Sequence, residues 1–225
     1  MPKQLELCVD IAGANPLHLE TQQAPLVAAG AECYVAMADG VFAPDLRGGA
    51  HLVRALRQSM NAKVCVHLLT EKPERHVEAL IAAGATTVFI HLEATSQAHP
   101  TLGLLREAGV SPAIAVNPAT ALTKLEYVLP LVDRVLLLAR EAGDKKAGLL
   151  PVTFDRVRIL TEFVRHLKRP VRVEVCGCDS LDEAAKLVRF GATGLVLRDL
   201  IFGHADPAAA FHAFRQDIAL RAARV

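Results

Sequence analysis

The sequence predicts an α/β fold of the (β/α)8 barrel type, with one domain over residues 1–225. Three observations predict it. Eight short β-branched or aliphatic runs recur along the chain, longer amphipathic segments separate them, and several runs are introduced by the same pair, a glycine followed by a small residue. Strands that are apolar on both faces and alternate with helices imply a parallel sheet covered by helices. Eight such units in 225 residues fit a compact barrel, whose usual size is about 250 residues. An open doubly wound sheet is the alternative. It calls for a Gly-rich phosphate turn after the first strand, and "DIAGANP" is a poor version of one.

In chain order the runs are "LELCV", "CYVAM", "KVCVHLL", "TVFIHL", "PAIAV", "RVLLL", "VRVEV" and "GLVL". Helix-to-strand turns are marked by Gly30-Ala31, Gly84-Ala85, Gly109-Val110 and Gly191-Ala192, because glycine tolerates the left-handed conformation that ends a helix. Helix starts are marked as well. Ser180 with Glu183 fits a capping box, and Asp206-Pro207 places an N-cap before a proline at the first helical position.

Composition narrows the partners. Lysine plus arginine number 25 against 24 acidic residues, a net charge of +1, which gives no general attraction for nucleic acid or an anionic membrane. Small molecules or copies of the chain itself are the expected partners, with no nucleic acid and no membrane. No apolar run approaches the roughly 18 residues of a membrane span, so the 52% hydrophobic content belongs to a core. Five cysteines, an odd number without C-x-x-C spacing, and a start, "MPKQLELCVD", without a long apolar segment point to a reduced, cytoplasmic protein.

In a barrel of this kind the functional residues sit where strands end. Those positions carry Asp10, the segment Tyr34–Asp39, His67, His91 with Glu93, Asn117, Arg140, Glu174 with Cys176, and Arg198 with Asp199. Such a ring of polar residues around one mouth is a site for a ligand. His67 reads either as a hydrogen-bonded structural histidine or as a ligand or acid/base group; His91, further inside its strand, reads as structural.

The fragments "ADGVFAPDL", "VHLLTEKPERHVEALIAAGA", "HLEAT", "AVNPATALTKLEYVLPLVDRVLLL", "VEVCG" and "IFGHADP", in this order and spacing, resemble the ribulose-phosphate 3-epimerase family across nearly the whole chain. The resemblance implies a ribulose-phosphate-binding (β/α)8 barrel that acts in carbohydrate metabolism, on a sugar or sugar phosphate, as a homo-oligomer. It also implies a divalent metal held by two histidines and two aspartates, with the aspartates serving as proton-transferring groups on opposite faces of the substrate. A metal on the ketone oxygen stabilises an enediolate while the two bases move the carbon proton.

This chain departs from that pattern at most of those positions. The family's H-x-D-x-M-D-G on the second strand is Tyr34-Val35-Ala36-Met37-Ala38-Asp39-Gly40 counted back from Asp39-Gly40, and a one-residue shift puts Val35 and Met37 at the two places instead. Neither register restores a ligand or a base. His67 keeps the second metal histidine, and Cys176 replaces the second catalytic aspartate. Asp10, His67 and Cys176 are the candidate metal ligands, because a catalytic zinc typically takes three protein ligands and a thiolate is an acceptable one. Asp10, His67, Glu174 and Cys176 are the candidate catalytic residues.

The glycine turns that bind phosphate in the family are changed too. Glu141-Ala142-Gly143-Asp144-Lys145-Lys146-Ala147 stands for the sixth, Gly177-Cys178 for the seventh and Arg198-Asp199 for the eighth. Asn117, Arg140, Lys145, Gly177 and Arg198 are the candidate ligand-binding residues, the cations holding an anion by charge in place of backbone N–H groups. Alternatively, Arg198 pairs with Asp199, Asp10 or Glu174 and fills the pocket. Two functions follow: a divergent sugar or sugar-phosphate epimerase or isomerase with a rebuilt site, or a non-catalytic barrel with a binding, regulatory or assembly role.

Overall fold

A computed structural model describes residues 5–144 and 148–222. Strand β1 (Glu6–Asp10) is followed by β2 (Glu32–Asp39), the two-residue β3 (Leu46–Arg47), β4 (Val64–Leu69), β5 (Thr87–His91), β6 (Ser111–Val116), β7 (Arg134–Leu138), β8 (Arg172–Cys176) and β9 (Gly194–Leu197). All neighbouring pairs are parallel except β2 with β3, an antiparallel spur. Strand β1 pairs with β2 on one side and β9 on the other, closing eight parallel strands into a barrel. The doubly wound alternative is thereby excluded, and each of the eight predicted runs is a barrel strand.

Among the described residues, seven helices of eight or more residues cover the outside: α1 (Leu19–Ala28), α2 (Ala50–Met60), α3 (Glu74–Ala83), α4 (Ala98–Glu107), α5 (Val152–Arg165), α6 (Leu181–Arg189) and α8 (Pro207–Ala222), with the four-residue α7 (Asp199–Phe202) before the last. The predicted turn glycines Gly30, Gly84, Gly109 and Gly191 have φ of +91°, +86°, +74° and +112°. Ser180 and Glu183 form the capping box of α6, and Asp206 Oδ1 accepts from the Ala209 N–H at 3.0 Å. No helix among the described residues is long and apolar enough to cross a membrane.

Alternation along each strand divides the core in two. Residues such as Val35, Met37, Val66, Leu68 and Val135 face the helices. The barrel interior holds Cys8, Tyr34, Ala36, Cys65, Phe89, Ala113, Ala115, Leu136 and Val196. This settles the register of β2, since Tyr34 and Ala36 face inward and Val35 and Met37 outward.

The barrel floor carries charge. Arg134, at the start of β7, donates to Glu32 Oε2 at 2.7 Å and Oε1 at 3.2 Å, and to Glu174 Oε1 at 3.3 Å. Burial pushes Glu32 up, but the Arg134 guanidinium outweighs it and holds the carboxyl at about 2. Glu174 has the weaker share of Arg134, and its burial raises it to about 7. Gly194 makes room for Glu174: a Cβ there would lie 2.8 Å from Glu174 Cγ.

Candidate active site

At the carboxyl end of the strands lies a cavity of about 110 Å³, lined among others by Asp10, Tyr34, Ala36, His67, Cys176 and Gly177, with Arg47, Arg140 and Arg198 around it. Each inner group is delivered by a strand end. Asp10 is the last residue of β1 and lies opposite Tyr34 of β2; Ala36 lies opposite His67 of β4. Asp10 is buried, and its Oδ1 accepts from the Ala12 N–H at 3.0 Å. Burial raises its carboxyl above the ordinary range, while the Ala12 N–H, Arg47 and Arg198 pull it back.

His67 is held from both sides. Its Nδ1 is hydrogen-bonded to Tyr34 Oη, and its Nε2 to His91 Nε2 at 2.9 Å. His91 Nδ1 meets Glu93 Oε2 at 3.1 Å, and Glu93 Oε1 accepts from the Asn117 N–H at 2.8 Å and from Thr120 Oγ1. Burial, with the neighbouring His91 and Arg47 adding to it, holds His67 well below the usual imidazole range and therefore neutral. Burial would raise Glu93, but hydrogen bonds from His91, Thr120 and Asn117 outweigh it and leave the carboxyl at about 2. The Tyr34 phenol is pushed well above its ordinary value by burial and by Cys176 and Asp10.

The predicted site residues divide into three groups. Asp10, His67, Cys176, Gly177, Arg140 and Arg198 meet at the cavity. Glu174 and Asn117 do not line it. Glu174 precedes Cys176 by two residues, about 6.6 Å along a strand, and so lies in the floor with Arg134 rather than at the mouth. Asn117 spends its N–H on Glu93, and its backbone oxygen accepts from Arg156 at 3.2 Å. Lys145 lies outside the described residues. Arg198 pairs with Asp199 through two 3.0 Å bonds. Arg140 donates to Gly177 O at 2.6 Å and to Asp179 Oδ2 at 2.5 Å, and its Nε is buried without a partner.

His91, read as structural, turns out to connect His67 to Glu93. Tyr34 enters the sequence reading as the residue at the family's first metal-histidine position, with no donor role, and Arg47 does not enter it. The available signal for Tyr34 was its inward parity two residues before Ala36. No local signal marks Arg47, which reaches the mouth from β3.

The metal-holding residues implied by the resemblance correspond here to Tyr34, Ala36, His67 and Cys176, and this set does not fit a catalytic metal. Ala36 offers no donor, both nitrogens of His67 are engaged, and Cys176 is a neutral thiol, raised to about 11 by burial and by Asp10. The expected set of Asp10, His67 and Cys176 is not gathered either. Among the described residues the only group with metal-like spacing is Cys8, Glu32 and Cys65. That group lies in the floor, where the Arg134 guanidinium already occupies the Glu32 carboxylate.

The family model for the ribulose-phosphate 3 epimerase family matches residues 6–202. The chain belongs to this family. It is 30% identical to the ribulose-phosphate 3-epimerase of Aquifex aeolicus over 168 residues, covering 75% of this chain and 76% of that one. It is 28% identical to that of Escherichia coli K12 over 219 residues, covering 96% and 97%. The fold is also similar to 3-hexulose-6-phosphate synthase from Salmonella typhimurium, with a TM-score of 0.72, 13% identity and coverage of 96% and 100%. Relative to the family pattern, this member keeps the strand-end scaffold and has a different set of donors.

Proposed function

We propose that this chain is a metal-independent isomerase of a small sugar phosphate, moving a carbonyl between neighbouring carbons. The observation that carries the reading is the composition of the mouth: one buried carboxylate, Asp10, in a cavity with Tyr34 and His67, ringed by Arg47, Arg140 and Arg198. Inversion at one carbon calls for proton-transferring groups on both faces. Carbonyl migration through an enediol calls for one carbon base on one face and a group that handles the oxygen-bound proton. Ala36 leaves a methyl group where a second base would stand, and Cys176 is a thiol at neutral pH, so the single-base reaction is the better supported.

In this reading Asp10 removes the proton from the carbon beside the carbonyl and returns it to the neighbouring carbon. Its carboxyl, raised by burial, is a stronger base than an exposed aspartate. Arg140, Arg198 and Arg47 hold the phosphate and the developing negative charge, replacing glycine-turn N–H groups by guanidinium forks. The divalent metal of the family has been lost along with three of its four ligands. The reaction takes place in a reducing cytoplasm, consistent with five free cysteines. The chain works as a homo-oligomer, supported by exposed Val152, Ile159 and Phe163 along one side of α5.

A second reading, a non-catalytic sugar-phosphate-binding barrel, is favoured by Ala36 and by the Arg198–Asp199 pair that partly fills the mouth. One experiment separates the two. The full chain is incubated with a panel of five- and six-carbon ketose and aldose phosphates, carbonyl migration is followed by NMR, and melting is followed in parallel. The isomerase reading expects migration for at least one member. A rise in melting temperature with no migration and no solvent-proton exchange would leave only the binding reading.

A further inference from the structure

Four side chains form a continuous hydrogen-bonded line from the cavity to the outer rim: Tyr34, His67, His91 and Glu93. All but Glu93 are buried; Tyr34, His67 and His91 stand on β2, β4 and β5, and Glu93 on the turn directly after β5. Its proton order follows from its far end. Glu93 is an ionised carboxylate and only accepts, so His91 Nδ1 carries a proton. With that as the ring's single proton, His91 Nε2 accepts and His67 Nε2 donates to it. With its own proton on Nε2, His67 accepts at Nδ1, and the donor is the Tyr34 hydroxyl. That hydroxyl proton points to His67, and the lone pairs of Tyr34 Oη face the cavity, where the Cys176 thiol is their protein neighbour. Phe42, its ring tilted by 45° and centred 4.6 Å from that of His91, covers the line from the loop side.

We propose that Tyr34 is a catalytic residue that exchanges the oxygen-bound proton of the ligand through the His67–His91 pair, with Glu93 as its anchor. The proposal rests on the isomerase reading above. A ligand hydroxyl passes its proton to Tyr34 Oη while the Tyr34 proton passes to His67 Nδ1. The His67 Nε2 proton passes to His91 Nε2, and His91 keeps its Nδ1 proton on Glu93. One O–H bond of the ligand breaks and one N–H bond forms on His91; the other two transfers replace like with like. The result is a ligand oxyanion and a His91 imidazolium that faces the Glu93 carboxylate. Running the line backwards delivers the proton to the adjacent ligand oxygen, which completes the exchange an enediol needs. No electron acceptor or further reactant is involved.

Two measurements test this. In the unmodified chain with 15N-labelled histidine, NMR is expected to show His67 protonated on Nε2 and His91 on Nδ1; a proton on His67 Nδ1 would overturn the relay. With D-ribulose 5-phosphate in D2O, Tyr34→Phe is expected to lower the ratio of carbonyl migration to carbon-proton exchange at least tenfold, since Asp10 remains to work on carbon. A tyrosine that only supports the fold lowers both rates together, and an unchanged ratio therefore contradicts the proposal. Absence of both migration and exchange in the unmodified chain across the whole panel of ketose and aldose phosphates would instead overturn the isomerase reading itself.

Discussion

Glu93 accepts from His91 on one oxygen and from Asn117 and Thr120 on the other, so its ionisation is linked to folding. Its folded value of about 2 lies below that of an unfolded glutamate, about 4.3. Between the two values the unfolded chain binds more protons, and stability rises with pH. This contribution is fully present above roughly pH 4.5 and is lost as pH falls towards 2, with a size of about 1–3 kcal/mol. Glu93→Gln is expected to flatten that part of the acid limb, and urea titrations at pH 3 and pH 5 for both proteins will check it. An undiminished difference between the two pH values would mean that Glu93 is not held as described. At this scale much of the site was open to sequence reading. Asp10, His67 and Cys176 are strand-end residues of inward parity, and parity carries over from sequence to barrel. The line from Tyr34 to Glu93 was not readable, because its first bond joins residues 33 apart through a contact that only barrel closure creates.

The elements were the most legible part of the molecule. A glycine followed by a small residue ended four helices, and each of those glycines has positive φ; Ser180 and Glu183 began α6 with both bonds of a capping box. These signals are local, so they need no knowledge of the rest of the chain. Height along a strand is a different matter. Parity places Glu174 and Cys176 on the same inner face of β8, but only the closed barrel shows that the first lies at the floor and the second at the mouth. The same holds for Glu32 and Arg134, each the first residue of its strand. An inward charge at a strand start is the sequence signal for a charged floor, and its partner 102 residues away is not visible without the topology.

For the molecule as a whole, that floor is where ionic groups are most deeply enclosed. Arg134 serves two carboxylates, and removing it leaves Glu174 buried without its guanidinium and Glu32 with only the more distant Lys63 at 3.8 Å. Arg134→Met is therefore expected to cost about 3–5 kcal/mol of stability, measured by urea unfolding at pH 7. A loss below about 1 kcal/mol would show that water or a rearrangement replaces the guanidinium. Glu174 adds a pH dependence of opposite sign to that of Glu93. Its folded value of about 7 lies above the unfolded one, so the folded chain binds more protons between about 4.3 and 7. Stability from this group falls as pH rises through that window, and Glu174→Gln is expected to remove the fall.

Three arginines, one buried carboxylate and a hydrogen-bonded tyrosine stand at the mouth of a family member in which three of the four implied metal-holding residues are replaced. The central claim is that carbon-proton chemistry here depends on Asp10 and needs no divalent cation. Its most direct test is deuterium incorporation from D2O into D-ribulose 5-phosphate by EDTA-dialysed protein. The account predicts exchange that survives dialysis and falls by about a hundredfold to ten-thousandfold in Asp10→Asn. Exchange that appears only when a divalent metal is added back, or that is unchanged in Asp10→Asn, would contradict it.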